Sequence, residues 1–170
     1  MVSFRQRRAL GLRPRLKRLH EVQEEIYRQL QLLLPRDVAL HEHFRSDVQG
    51  SPRLRLDVLE RHPYTHFLRL TYWFPEGPKP EVTPDAHFRV YHDARMAEVT
   101  AFDPEQGFTR SAHPWYPTRP LLQKLWRQNL AMDKWLTYLI GQGHSVETMR
   151  PAARAIDADA PRAAAVTVGG

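Results

Sequence analysis

The chain has 170 residues, of which 42% are hydrophobic, enough for one globular domain with a sizeable core. It contains no cysteine, which excludes disulfide bonds, thiolate zinc sites and a cysteine nucleophile. No segment holds the roughly 20 consecutive apolar residues that a membrane span needs. The N-terminus also lacks the apolar core of a secretion signal, so we expect a cytoplasmic protein.

The positive charge is concentrated at the N-terminus. The net charge is +6, and the first 20 residues hold seven of the 25 Lys and Arg but no Asp or Glu. These seven are Arg5, Arg7, Arg8, Arg13, Arg15, Lys17 and Arg18. The rest of the chain is close to neutral, with 18 basic against 19 acidic residues. The distribution predicts a basic flexible arm at residues 1–13, ahead of a near-neutral domain.

The first predicted element is an amphipathic helix over residues 14–34. Its apolar residues recur at spacings of three and four, and Pro35 ends it. This stripe consists of Leu16, Leu19, Val22, Ile26, Leu30 and Leu33. The polar segment 36–52 that follows is predicted to be an irregular connector.

A first β-hairpin is predicted after the connector. Apolar residues alternate with polar ones from Leu54 to Val58 and again from Leu68 to Phe74, which is the period of half-buried strands. Residues 62–65 form the turn, because Pro63 fixes the backbone there. The proline-rich segment 75–84 is expected to stay outside the sheet, since proline cannot donate to a strand ladder.

The second predicted hairpin has a defined register. With Asp93 and Ala94 at its tip, Arg89 opposes Glu98, and the apolar residues share the other face. Those apolar residues are Phe88, Val90, Ala97 and Val99. A four-residue loop with the same register is equally consistent with the sequence.

A long helix is predicted from about Pro120 to Ile140, and Gly141 and Gly143 supply its C-terminal stop. Residues 146–170 lack apolar periodicity and are predicted to be a disordered tail. The order of elements predicts a single α+β domain over residues 14–145. Its core would be an antiparallel four-stranded meander of two hairpins, with the N-terminal and C-terminal helices packed on one face.

Several short motifs, in this order, resemble those of a known family. Tyr-His-Asp-Ala at 91–94 followed by Ala-Glu-Val at 97–99 is the most specific, and Leu-Leu-Pro-Arg at 33–36 and Trp-Leu at 135–136 flank it. Over about residues 15–145 the chain resembles the proteobacterial YqiB-like family, a domain of unknown function. The resemblance implies a small bacterial cytoplasmic protein with no assigned activity, cofactor or catalytic residues.

The second hairpin also carries the main candidate chemistry. Tyr91, His92 and Asp93 place an imidazole beside a carboxylate, which could orient a general base. However, neighbouring strand residues point to opposite faces, so a turn carboxylate and a rim histidine are the simpler interpretation. Arg89 and Glu98 either hold a substrate or form a cross-strand ion pair.

Two other groups of residues have alternative interpretations. Trp115 and Tyr116, which lie between prolines, form either a contact surface for a partner or a lid on the core. His41 and His43 lack the helical spacing of established zinc motifs, so no metal and no cofactor are expected.

These observations favour a non-enzymatic binding or adaptor module with an unknown protein partner. The candidate binding residues are Arg89, Tyr91, His92, Asp93, Glu98, Trp115 and Tyr116. One alternative is an enzyme that acts on a nucleotide or another phosphorylated metabolite through the 91–93 segment. The other is sequence-independent binding of nucleic acid by the basic arm.

Overall fold

A computed structural model describes residues 4–74, 81–101 and 119–154, with side chains placed for 15–74, 84–101 and 121–154. Two helices and six strands follow one another in these residues. They are α1 (Phe4–Leu33), β1 (His43–Ser46), β2 (Arg53–Arg61), β3 (Thr65–Phe74), β4 (Glu81–Tyr91), β5 (Met96–Ala101), α2 (Arg119–Gly141) and β6 (Met149–Pro151).

The strands form one antiparallel sheet in the order β5-β4-β3-β2-β1-β6. The predicted α+β class is confirmed, and β2 to β5 are the predicted meander of two hairpins. The expectation of four strands is wrong, because β1 pairs with β2 and β6 pairs with the other edge of β1. The described part of the sheet therefore has six strands.

Strand β1 lies in the segment that was predicted to be an irregular connector, and β6 lies in the segment that was predicted to be a disordered tail. β1 has four residues, and of these Phe44 and Ser46 are fully buried. β6 has three residues and buries Met149. Segments this short show no alternation that the sequence alone reveals, and their burial comes from pairing with a neighbour.

Pro84 lies inside β4, so the expectation that residues 75–84 stay outside the sheet is wrong for residues 81–84. The ladder with β3 is irregular there, because its register shifts between Thr71 and Trp73. On the other side, the described pairing with β5 extends only as far as His87. The missing N–H of Pro84 therefore falls where neither neighbour has a regular ladder.

The second hairpin has the predicted register, with Arg89 opposite Glu98, Val90 opposite Ala97 and Tyr91 opposite Met96. Its turn occupies residues 92–95, which is the four-residue alternative. Arg95 has a positive φ of 52° and closes this turn in the left-handed conformation.

Both helices pack on one face of the sheet. Helix α2 lies close to its predicted bounds, whereas α1 begins at Phe4 rather than at Pro14. The backbone of residues 4–13 is therefore helical. Pro14 does not prevent this, because a proline inside a helix removes one backbone hydrogen bond but allows helical turns before it. The division of the chain into an arm, a domain and a tail stays a prediction.

The two helices run side by side in the same direction. Gln29 of α1 donates to Asp133 and Thr137 of α2 at 3.0 Å each. Nearer the N-terminus of both helices, Arg15 of α1 lies near Trp126 of α2. Their shared face covers a core that includes Ile26, Leu30, Leu33, Phe44, Leu54, Leu56, Leu68, Leu70, Phe88, Val90, Met132, Leu136 and Leu139. In the described part of the chain, neither helix combines the length and the apolar character required to cross a membrane.

Candidate functional site

Two turns and one loop meet at one end of the sheet, which we call the hairpin end. It consists of residues 35–42, the turn at 62–64 and the turn at 92–95. The backbone N–H of His92 donates to the carbonyl of Tyr64 at 2.9 Å, which joins the two turns. The side chain of Arg61 donates to the carbonyls of Val38 and His41, which fixes the loop to β2.

A pair of histidines lies beside these turns. Nε2 of His92 and Nδ1 of His66 are 3.0 Å apart, and the ring of Tyr27 contacts His92 edge-on at 6.1 Å. One nitrogen of such a bond must donate and the other must accept, so the pair cannot carry two extra protons. Burial lowers the pKa of both imidazoles; the charge of His92 lowers that of His66 further, whereas Asp93 partly opposes the effect on His92.

A groove of about 480 Å³ opens next to His92. Its lining is contributed by the end of α1, the 35–42 loop and the segment after α2, and consists of Gln31, Leu34, Pro35, Arg36, Val38, His92, Val146 and Glu147. Large apolar side chains of the hairpin end lie in solvent: Leu40 is 79% and Tyr64 is 67% exposed. The hairpin end therefore combines a partly apolar groove with exposed apolar side chains.

A third histidine, His144, is buried in a chain of hydroxyl groups. Thr148 Oγ1 donates to the carbonyl of Ser145 at 3.0 Å, so the hydroxyl of Ser46 donates to Thr148 at 2.7 Å. Ser46 then accepts from Nδ1–H of His144 at 2.7 Å, and Nε2 accepts from the hydroxyl of Ser51 at 3.0 Å. Burial lowers the pKa of His144, which agrees with this neutral form. The network joins β1, the loop after it and the segment after α2.

The sheet face opposite the helices carries charged side chains. Arg89 lies 3.7 Å from the carboxylate of Glu98, and the hydroxyl of Tyr91 contacts both, at 3.3 Å and 3.4 Å. The hydrogen bond to Tyr91 and the charge of Glu98 raise the pKa of Arg89 despite its partial burial. Its guanidinium lies 4.9 Å from the ring centre of Phe67. These contacts fix the position of the Arg89 side chain on this face of the sheet.

Arg69 and Asp85 form a second ion pair on this face. Nε and Nη2 of Arg69 donate to the two carboxylate oxygens at 2.8 and 2.9 Å, which is a bidentate geometry. Burial alone would raise the pKa of Asp85, but His87 and Arg69 outweigh it and lower that pKa to about 2. The carboxylate is therefore ionised at any physiological pH.

Residues 29–145 match the model of a family described as "Protein of unknown function (DUF1249)". The chain belongs to this family. Neither a curated protein nor a solved structure matches the chain. The match confirms the expected membership of an uncharacterised family. The matched region of this DUF1249 domain begins within α1 and includes strands β1 to β5, the hairpin end and α2.

The structure of the DUF1249 domain separates the predicted hairpin residues into two groups. Arg89, Tyr91 and Glu98 contact one another on the charged face. His92 instead contacts His66, and Asp93 is exposed at the turn. Within the described ranges, no group of three His, Asp or Glu side chains is placed to hold a metal ion.

The other predicted site residues are only partly described. Trp115 and Tyr116 lie outside the described residues. Arg15, Lys17 and Arg18 have placed side chains, and the four arginines before them, Arg5, Arg7, Arg8 and Arg13, belong to α1 by their backbone.

His66 and His144 were not among the candidate residues predicted from the sequence. His66 continues the alternation of Leu68 and Leu70 on the buried face of β3. A polar residue in this apolar pattern was the signal in the sequence that could have identified it. His144 follows Gly143, whose positive φ of 97° ends the helix, and only the fold brings it to Ser46.

We expect the protein to lose stability as the pH falls below 6.5. The pKa values of His66, His92 and His144 are lowered from 6.5 by burial. The unfolded chain therefore takes up protons near pH 6.5 that the folded chain does not. This contribution is complete above pH 6.5 and is lost as the pH falls through the lowered values.

Urea unfolding at pH 7.5 and pH 5.5 measures this effect. The parent protein should unfold at a lower urea concentration at pH 5.5. His92→Gln keeps a hydrogen-bonding group beside His66 but cannot be protonated, so its two midpoints should lie closer together. An equal pH dependence in the parent and the variant would contradict the role given to this pair.

Proposed function

We propose that this DUF1249 protein is a non-enzymatic binding module whose hairpin end recognises a protein partner. The observation that carries the proposal is the exposure of Leu40 and Tyr64, at 79% and 67%, on the end of the domain that also holds the groove. Large apolar side chains left in solvent beside a groove are typical of surfaces that a partner covers.

The groove supports the same proposal. Leu34, Pro35, Val38 and Val146 give it apolar walls, and the other lining residues, His92 among them, are polar or charged. Interfaces derive most of their affinity from a few side chains inserted into such depressions. We infer that an apolar side chain of the partner enters the groove while Leu40 and Tyr64 pack around it.

The placement of the hairpin residues supports binding over the enzymatic alternative. An enzyme that acts on a phosphorylated metabolite through Tyr91, His92 and Asp93 needs these groups within reach of one reacting atom. Tyr91 contacts Arg89 and Glu98, whereas His92 contacts His66. Catalysis would therefore require a rearrangement of the hairpin.

Affinity purification of the full chain from its native host tests the proposal. The double variant Leu40→Asp with Tyr64→Asp places charge on the exposed surface without touching the core, and Gln49→Asp is a matched exposed control. We expect one reproducible partner with the parent and the control, and a loss of at least tenfold with the double variant. The purified pair should bind directly in isothermal titration calorimetry. Recovery that is equal for all three chains would contradict the proposal.

We also propose that this member of the family is YqiB-like and acts in the bacterial cytoplasm. The Tyr-His-Asp-Ala and Ala-Glu-Val segments support the first inference, and the absence of cysteine is consistent with a reducing compartment. Cell fractionation with an antibody against the chain tests the location. Recovery in the soluble cytoplasmic fraction is expected, and recovery in the periplasm would contradict it.

A further inference from the structure

The parallel packing of the helices places two basic segments side by side. Arg15 and Arg18 of α1 line a cavity together with Trp126 of α2. Since Gln29 contacts Asp133 and Thr137 farther along, the first turns of α2 lie beside residues 15–19 of α1. These two segments therefore form one surface, which the sequence order does not reveal.

This basic surface contains no acidic residue on its two helical segments. Helix α1 has none before Glu21, and α2 has none before Asp133. The basic residues of this surface whose side chains are described are Arg15, Lys17 and Arg18 on α1 and Lys124 and Arg127 on α2. A surface of one sign that both helices share attracts polyanions and concentrates them near it.

Few carboxylates compete for these cations. Lys17 lies 3.9 Å from Glu21, but both side chains are largely in solvent, where such a pair is weak. Among the described residues, no ion pair involves Arg15, Arg18, Lys124 or Arg127. These four cations are therefore available to an external anion.

The cavity between the helices indicates which anion fits. It has a volume of about 210 Å³ and is lined by Arg15, Arg18, Leu19, Leu122, Gln123 and Trp126. This combination offers an aromatic ring and two guanidinium groups in one small space. Proteins bind single strands with such groups, because a base stacks on an aromatic ring while basic side chains contact the backbone.

We propose that this surface binds single-stranded nucleic acid, with one base on Trp126 and the flanking phosphates on Arg15, Arg18, Lys124 and Arg127. Charge alone would attract any polyanion, and the indole ring is the group that selects a base. The proposal is independent of the hairpin end, since the two surfaces share no residue.

Fluorescence anisotropy of the full chain with a labelled twelve-nucleotide thymidine strand tests the proposal. The logarithm of the affinity should fall with the logarithm of salt concentration, with a slope of about −0.7 for each phosphate contacted. Arg15→Glu with Arg18→Glu should weaken binding at least tenfold. Lys134→Glu reverses an exposed charge of α2 outside this surface and should leave the affinity within about twofold.

Two comparisons isolate the role of the ring. Trp126→Ala should weaken binding about tenfold, whereas Trp126→Phe should retain most of the affinity, because base stacking needs an aromatic face. An abasic strand of the same length tests the same point with the unaltered protein and should bind at least tenfold more weakly. The proposal is overturned if the abasic strand binds as well as the thymidine strand, or if the double arginine variant retains full affinity.

Discussion

Replacing Arg69 with alanine is expected to destabilise the protein by about 3–5 kcal/mol. The side chains of Arg69 and Asp85 are only 13% and 18% exposed, and two short hydrogen bonds join them. Without the guanidinium, the carboxylate stays in a poorly solvated site and loses its bidentate partner. Urea unfolding at pH 7 measures the difference in the free energy of unfolding.

The exposed pair of Lys17 and Glu21 is the matched control. Its side chains are 81% and 59% exposed, so Lys17→Ala should change stability by less than about 0.5 kcal/mol.

The pair of Arg69 and Asp85 also predicts an acid transition. The pKa of Asp85 falls from 3.8 to about 2 on folding, so its stabilisation is complete above pH 3.8 and is lost between pH 3.8 and 2. Similar small effects of Arg69→Ala and Lys17→Ala on the free energy of unfolding would contradict the buried placement of Arg69 and Asp85.

Phe44→Ala is the second substitution with a large expected effect, about 3–5 kcal/mol of lost stability. Phe44 is fully buried in β1 and belongs to the core under the helices. Its removal leaves a cavity between β1 and that core. The same urea experiment measures the lost stability. The substitution leaves the charged face of the sheet unaltered.

Leu40→Ala is the control for this substitution, because Leu40 lies in the same segment but is mostly in solvent. Its effect should be within about 0.5 kcal/mol. The pair of variants distinguishes a strand from an irregular connector at residues 43–46. If Phe44→Ala were as mild as Leu40→Ala, β1 would not be part of the folded sheet.

The sequence predicted those elements whose signal is local. The second hairpin was predicted with its register, because the apolar face and the facing charges of Arg89 and Glu98 independently require the same pairing. The contact between Arg89 and Glu98 followed from that register. Helix α2 was predicted for a similar reason, since its apolar stripe is continuous.

Elements that depend on distant partners could not be predicted. Strands β1 and β6 become strands by pairing with each other and with β2, and neither has enough residues to show a period. The bond between His144 and Ser46 joins residues 98 positions apart. The cavity between the helices combines Arg15 and Arg18 with Trp126, and only the parallel packing of the helices brings them together.

Photo-crosslinking at the hairpin end shows directly whether a partner protein covers this surface. A benzoylphenylalanine placed at position 40 or 64 of the full chain, expressed in the native host, reports which molecule lies against that surface. We expect one discrete crosslinked protein, the same at both positions, and none from position 49 as the exposed control. Identical crosslinking from all three positions, or none from positions 40 and 64, would contradict a binding function at the hairpin end.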